Sequence, residues 1–240
     1  MILPSAQHAA GRNTGERRVA GEGMAFERYF KRSLDILAAT FGILFIFPIC
    51  LLVAVAVKLD SSGPIFYAQE RVGINRRRRL DGTLPTKERR KADCFGRPFR
   101  IYKFRSMVLD AERNTGPVWA SASDSRVTRI GRFLRRSRLD ETPQLWNVLR
   151  GDMSLVGPRP ERPTFVQSLT VSLPDFPKRC SALPGITGLA QVKSNYDTSL
   201  ESANRKLQYD LYYLKNGRLL LDLKIMAATV KVMARGDGAH

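Results

Sequence analysis

The chain has 240 residues, with 40 Lys and Arg against 22 Asp and Glu, a formal charge of +18. That excess implies polyanionic company: nucleic acid, an anionic membrane face or phosphorylated substrates. Three scattered cysteines (Cys50, Cys94, Cys180) exclude a disulfide framework or a four-ligand zinc site, and the only histidines are His8 and His240, so catalysis must run on carboxylates, Lys, Arg or hydroxyls.

Residues 1–28 read as a disordered leader. The first 25 are small, polar and Gly-rich, without period, and no apolar run precedes a small-residue cleavage site. From Ile36 to Val57 the chain then has 22 residues without a charge, between Arg28, Lys31 and Arg32 on one side and Lys58 on the other. A buried core helix is the plain alternative, but the length and the lack of a polar face point to a membrane. Pro48 interrupts the run, leaving arms of roughly 18 and 14 Å, each about half of the ~30 Å hydrocarbon core. The body that follows is more basic than residues 1–33, so a straight span would put a basic flank outside. A hairpin over 29–60, broken at Pro48, keeps both flanks cytoplasmic; a kinked helix that spans is the alternative.

A turn at Ser61–Pro64 leads to a short strand around Ile65–Gln69. Residues 76–91 hold eight Lys and Arg against Asp81 and Glu88. This stretch reads as a solvated basic loop or a clamp on anionic lipid headgroups; it lacks the interleaved aromatics of an RNA platform. Pro98–Met107 looks like a strand running into a helix. Residues 126–139 place Val127, Ile130, Phe133 and Leu134 at helical spacing, and Glu141–Leu155 is punctuated as a helix by Pro143 and Gly151. Near the end, Leu219, Leu223, Met226, Val230 and Met233 mark a helix that faces either the core or the membrane plane.

Among so many cations the informative carboxylates are the adjacent Asp140 and Glu141. The bland reading is a pair near a helix N-terminus making surface ion pairs. The sharper one is a carboxylate that attacks phosphorus, which needs cations on the phosphate oxygens, in-line placement and shelter from water. Lys103, Arg105, Arg159 and Arg205 are candidates for that cation shell. Arg159 stands between two prolines that fix φ on both sides, and the arginine fork suits phosphate. One Asp plus a diphosphate makes a plausible magnesium site, and the second carboxylate could take a proton or align the incoming phosphate.

The segments KFRSM (103–107), LDETPQLWNVL (139–149), SLVGPRP (154–160) and PGITGLAQV (184–192), in that order, resemble the bacterial sugar transferases, the monotopic polyprenyl-phosphate phosphoglycosyl transferases. The likeness covers roughly residues 29–234. It implies transfer of a sugar-1-phosphate from a UDP-sugar to undecaprenyl phosphate, with release of UMP, magnesium dependence and an aspartyl-phosphosugar intermediate. By motif, Asp140 is the nucleophile and a magnesium contact, and Glu141 acts on the lipid phosphate. Arg159 binds phosphate, while Lys103 and Arg105 fill the basic positions.

The implied fold is α+β and mainly helical. A re-entrant helix-break-helix precedes a small cytoplasmic catalytic domain (61–234) with short strands and membrane-surface amphipathic helices, and 235–240 form a tail. The family's membrane element is a re-entrant helix broken at a proline, which matches Pro48, although Phe47 stands where relatives often carry Ser. The basic stretch 76–94 reads as an insertion. The chain looks like the short, catalytic-core form, acting at the cytoplasmic face of the bacterial inner membrane in surface glycan assembly. Its partners are the donor, the lipid acceptor and anionic lipids, with no nucleic acid expected. The rival is a non-catalytic, membrane-anchored basic adaptor.

Overall fold

The computed structural model describes residues 12–75, 95–111, 113, 124–194 and 199–235. The basic stretch 76–94 lies outside the described residues.

A single long helix, α1 (Arg12–Asp60), carries the apolar run, and between Tyr29 and Asp60 it is long and apolar enough to cross a membrane. Two expectations change here. The helix opens inside the stretch read as a disordered leader; extending a formed helix costs far less than nucleating one. It also continues through Pro48 rather than separating into two helices. A proline removes one backbone donor and bends a helix, and the apolar turns on either side sustain the rest of the ladder.

Between Lys31 and Asp60, α1 lies against the rest of the molecule. Arg32 donates to the carbonyls of Val148 and Leu149 at 2.6 and 3.0 Å, and Asp35 accepts from the amide of Leu155 at 3.1 Å. Ala39, Val53 and Val57 are buried, Cys50 meets Thr142 at 3.7 Å, and Asp60 accepts from the amide of Ile130 at 3.0 Å. These positions lie three or four residues apart, with one step of eleven, about three turns, from Ala39 to Cys50, so one stripe is docked from Arg32 to Asp60. The opposite face leaves Leu44, Phe45, Leu52 and Leu59 exposed at 66, 82, 72 and 83%.

After α1, β1 (Phe66–Val72) pairs antiparallel with β2 (Pro98–Phe104), with Phe66 opposite Phe104. Over residues 105–111 the chain beyond β2 does not run into a helix as expected; Met107 bridges to Val127 instead, and α2 spans Arg129–Ser137. A 3-10 turn (Leu139–Glu141) leads into α3 (Gln144–Arg150). Next come β3 (Ser154–Val156), α4 (Pro163–Ser172), a 3-10 segment (Phe176–Ser181) and β4 (Gly185–Thr187), which pairs parallel with β3. The last elements are α5 (Leu189–Lys193), α6 (Leu200–Asn216) and α7 (Leu219–Arg235).

The core consists of several small clusters under these elements. One joins Ala39 of α1 to Ile101, Val148 and Met153; another joins Val53 and Val57 to Phe104 and Leu134. On α7 the stripe of Leu223, Val230 and Met233 is exposed, and the buried face is instead Asp222 and Ile225. Asp222 tolerates burial because Lys31 of α1 pairs with it and Tyr213 of α6 donates to it at 2.8 Å.

Candidate active site

The acidic pair is set by backbone geometry. Arg138, in the left-handed region (φ 60°, ψ 13°), ends α2 and turns the chain into the 3-10 turn that carries Asp140 and Glu141. Both residues are buried, at 5 and 8% exposure. α3 is clamped onto β2 by Asn147, whose amide donates to the carbonyl of Arg100 at 2.7 Å and accepts from the amide of Tyr102 at 3.2 Å. That clamp brings Lys103, the next residue of β2, against Glu141.

Arg159 arrives from the other side. β3 and β4 lie side by side in close contact, with the amide of Gly185 donating to the carbonyl of Pro158 at 3.0 Å. A Cβ on Gly185 would lie 2.1 Å from the nitrogen of Gly157, so this close approach requires glycine there. The Pro-Arg-Pro loop that follows is held from behind. Arg179 donates to the carbonyl of Arg159 at 3.0 Å and Arg71 to that of Pro160 at 3.1 Å. Arg179 is itself paired with Asp210 of α6 at 2.7 Å and with Glu161 at 3.6 Å.

At the centre, Oε1 of Glu141 accepts from both Lys103 Nζ and Arg159 Nη2, each at 2.6 Å. Burial alone would raise the Glu141 carboxyl, but the charges of Arg159 and Lys103 hold it well below the usual range. Burial likewise lowers the Lys103 ammonium, against the attraction of Glu141. Asp140 behaves oppositely. Burial pushes it up, Lys103 only partly compensates, and its Oδ1 has no hydrogen-bond partner. The two carboxylates thus divide: Glu141 is held by two cations, and Asp140 is the more basic, with one buried oxygen that no protein donor occupies.

Of the residues singled out in the sequence, the structure gathers Asp140, Glu141, Lys103 and Arg159. Arg105 departs from the expected phosphate shell. It is buried at 6% exposure, and its guanidinium donates to the carbonyls of Ser62 and Ser61 at 2.8 and 2.6 Å, stapling the turn after α1. Arg205 also lies apart, half-exposed on α6 at 3.9 Å from Glu201. Sequence reasoning passed over Arg135, whose charge acts on Asp140, and the Arg179–Asp210 pair behind the loop. Arg135 could have been found from its place in the last turn of α2, a few residues before the acidic pair; the Arg179–Asp210 pair has no local signal.

Of this pair, Asp140 is the carboxylate with a buried side-chain oxygen free of protein donors, so a magnesium ion would have to take most of its ligands from waters and substrate oxygens. Among the described residues no group of three acidic, His or Cys side chains could hold a metal by itself.

The family model described as bacterial sugar transferase matches residues 26–236. The chain is 41% identical over 212 residues to the UDP-N-acetylgalactosamine-undecaprenyl-phosphate N-acetylgalactosaminephosphotransferase of Aeromonas hydrophila, covering 88% of this chain and 45% of that protein. It is 38% identical to the UDP-glucose:undecaprenyl-phosphate glucose-1-phosphate transferase of Caulobacter vibrioides, over 88% of this chain and 72% of that one. The Escherichia coli protein of the same description is 36% identical, over 85% of this chain and 40% of its own length. The chain therefore spans about half the length of several curated relatives it matches. With the match running from the apolar helix through the acidic pair and the Pro-Arg-Pro loop to α7, the chain belongs to the bacterial sugar transferase family.

Proposed function

We propose that this protein transfers a sugar-1-phosphate from a UDP-sugar to undecaprenyl phosphate, with Asp140 as the nucleophile. One observation carries the reading: the buried oxygen of Asp140 that no protein donor occupies, set beside a second carboxylate already neutralised by Lys103 and Arg159. In the first half, an Asp140 oxygen forms a bond to the phosphorus that bears the sugar. The bond from that phosphorus to the bridging oxygen breaks, and its electron pair leaves with UMP. In the second half, an oxygen of the lipid phosphate attacks the same phosphorus and displaces Asp140. Arg159 and Lys103 spread the developing charge on the phosphoryl oxygens, and Glu141 keeps both cations in place and aligns the incoming lipid phosphate. Magnesium bound at Asp140 would neutralise the diphosphate.

A re-entrant α1, with both flanks at the cytoplasmic face of the inner membrane, completes the proposal. Two facts support it. α1 is docked from Arg32 to Asp60, so a single crossing would pull polar main chain and Thr142 into hydrocarbon. In addition, Arg32 to Cys50, about 27 Å of straight helix, clasps Thr142–Leu149, about 11 Å long, which favours a helix bent around α3. Cysteines introduced at Ala25 and Ser62 should both label from the cytoplasm; periplasm-only access at the first refutes re-entry.

The reaction is tested with purified protein in lipid particles, a panel of UDP-sugars, polyprenyl phosphate and magnesium. UMP release should require Asp140, and radiolabelled donor should leave its label on that residue. Turnover in a folded Asp140→Asn variant, or label elsewhere, refutes the assignment. No release with any sugar favours the adaptor reading.

A further inference from the structure

Gln144 has no task in the chemistry above and no partner in the fold. It is 0% exposed, and neither its Oε1 nor its Nε2 makes a hydrogen bond. A buried amide without partners weakens the fold, and native proteins keep few of them. Asn147 supplies the contrast: it has the same chemistry one turn further along α3, is also 0% exposed, and has both amide atoms bonded to β2. This helix face can satisfy an amide when holding the fold is the amide's task.

Position suggests what Gln144 does instead. It opens α3, about one turn beyond the acidic pair, between two contacts with β2: Glu141 to Lys103 before it and Asn147 to Arg100 and Tyr102 after it. Two other buried atoms in the same short segment also lack partners, Asp140 Oδ1 and Arg135 Nη1. Within residues 135–144 a carboxylate oxygen, one guanidinium nitrogen and both atoms of an amide are thus buried without partners, a donor and acceptor set of the kind that a tetrahedral phosphoryl group completes. One oxygen attacks phosphorus, and the N–H groups receive its non-bridging oxygens. As a neutral donor, Gln144 adds no charge to a centre where two carboxylates already face two cations.

We propose that Gln144 is a substrate-contact residue whose Nε2 donates a hydrogen bond to a non-bridging oxygen of the phosphoryl group while it is bound to Asp140. The proposal rests on the phosphoglycosyl transfer reading, and the wild-type protein assayed in parallel tells the two apart.

The test is Gln144→Met, which keeps length and removes both unpartnered atoms, with Gln144→Glu as the companion that keeps Oε1 but replaces the donor. UMP release and the thermal unfolding midpoint are measured for each in the same lipid particles. For Gln144→Met, kcat/KM should fall by about tenfold or more, toward the roughly 100-fold that loss of one preorganised donor costs. Its unfolding midpoint should equal or exceed that of the wild type. Gln144→Glu should fall at least as far. A fall of less than about tenfold in Gln144→Met, wild-type rates in Gln144→Glu, or a lowered midpoint in Gln144→Met each overturn the proposal; the last would mean that the amide is bonded within the fold. An inactive wild type overturns the transfer reading itself.

Discussion

Replacing Arg159 with methionine separates two tasks that its position combines. Its Nη2 lies 2.6 Å from Glu141 Oε1, with the arginine side chain 34% exposed and the glutamate side chain 10%. A hydrogen bond to a charged group contributes about 1.5–3 kcal/mol. The low end applies here, because solvent screens the guanidinium and Lys103 still holds the same oxygen at 2.6 Å. Arg159→Met should therefore lose about 1.5 kcal/mol of stability, a drop of roughly 3–6 °C in the unfolding midpoint for a chain of this size. If Arg159 also meets charge that develops on the phosphoryl oxygens, UMP release should fall by about 100- to 1,000-fold, or roughly 2.7–4 kcal/mol, which exceeds the structural loss. Arg159→Lys, which keeps the charge and loses the fork, should lie between. The assay is initial-rate UMP release at saturating donor and lipid, beside thermal unfolding of the same preparation. A methionine variant that turns over within about fivefold of wild type while its midpoint drops would show that Arg159 only fastens Glu141.

Other consequences follow from the same contacts. Burial holds the Asp210 carboxyl up at about 6, so its charge pair with Arg179 is intact above that pH and fades below it as the carboxyl takes a proton. The rate should show an acid limb near pH 6, which Asp210→Asn flattens at a lower plateau; an unchanged limb in that variant excludes Asp210 as its source. Glu141 has a depressed carboxyl, so its contribution to stability is complete above the ordinary carboxylate range and is lost as pH falls through its folded value. Unfolding midpoints of Glu141→Gln across acid pH should lack that component. Arg105→Met should lower the midpoint with at most a proportionate loss of rate, since its partners are carbonyls of the turn after α1; a selective loss of rate would return it to the phosphate shell. Phe45→Asp, on the exposed face, should leave the fold intact in detergent yet reduce recovery in the membrane fraction, and unchanged partitioning would place that face away from lipid.

Much of the centre was readable because its chemistry is local. Asp140 and Glu141 are adjacent, the prolines around Arg159 announce a rigid presentation, and the motif order supplies the rest. Arg105 misled for a physical reason. Positions two apart share a face only while a strand continues, and β2 ends at Phe104, so Lys103 turns to the acidic pair and Arg105 to the turn after α1. Arg179 was silent in sequence because its partners, Arg159, Glu161 and Asp210, come from other parts of the chain. On α7 the apolar period was read correctly as a helix, but it did not reveal the core side. Asp222 faces inward because Lys31, far away in sequence, and Tyr213, on the preceding helix, both reach it.

The docked stripe of α1 also bears on how this protein can be handled. Ala39, Val53 and Val57 are walls of two interior clusters, and Lys31 pairs with the buried Asp222 of α7. The greasy helix is a structural member, unlike a leash that could be cut. Deleting it to make a water-soluble version would open the protein's interior along two seams, because helix and body fold as one unit.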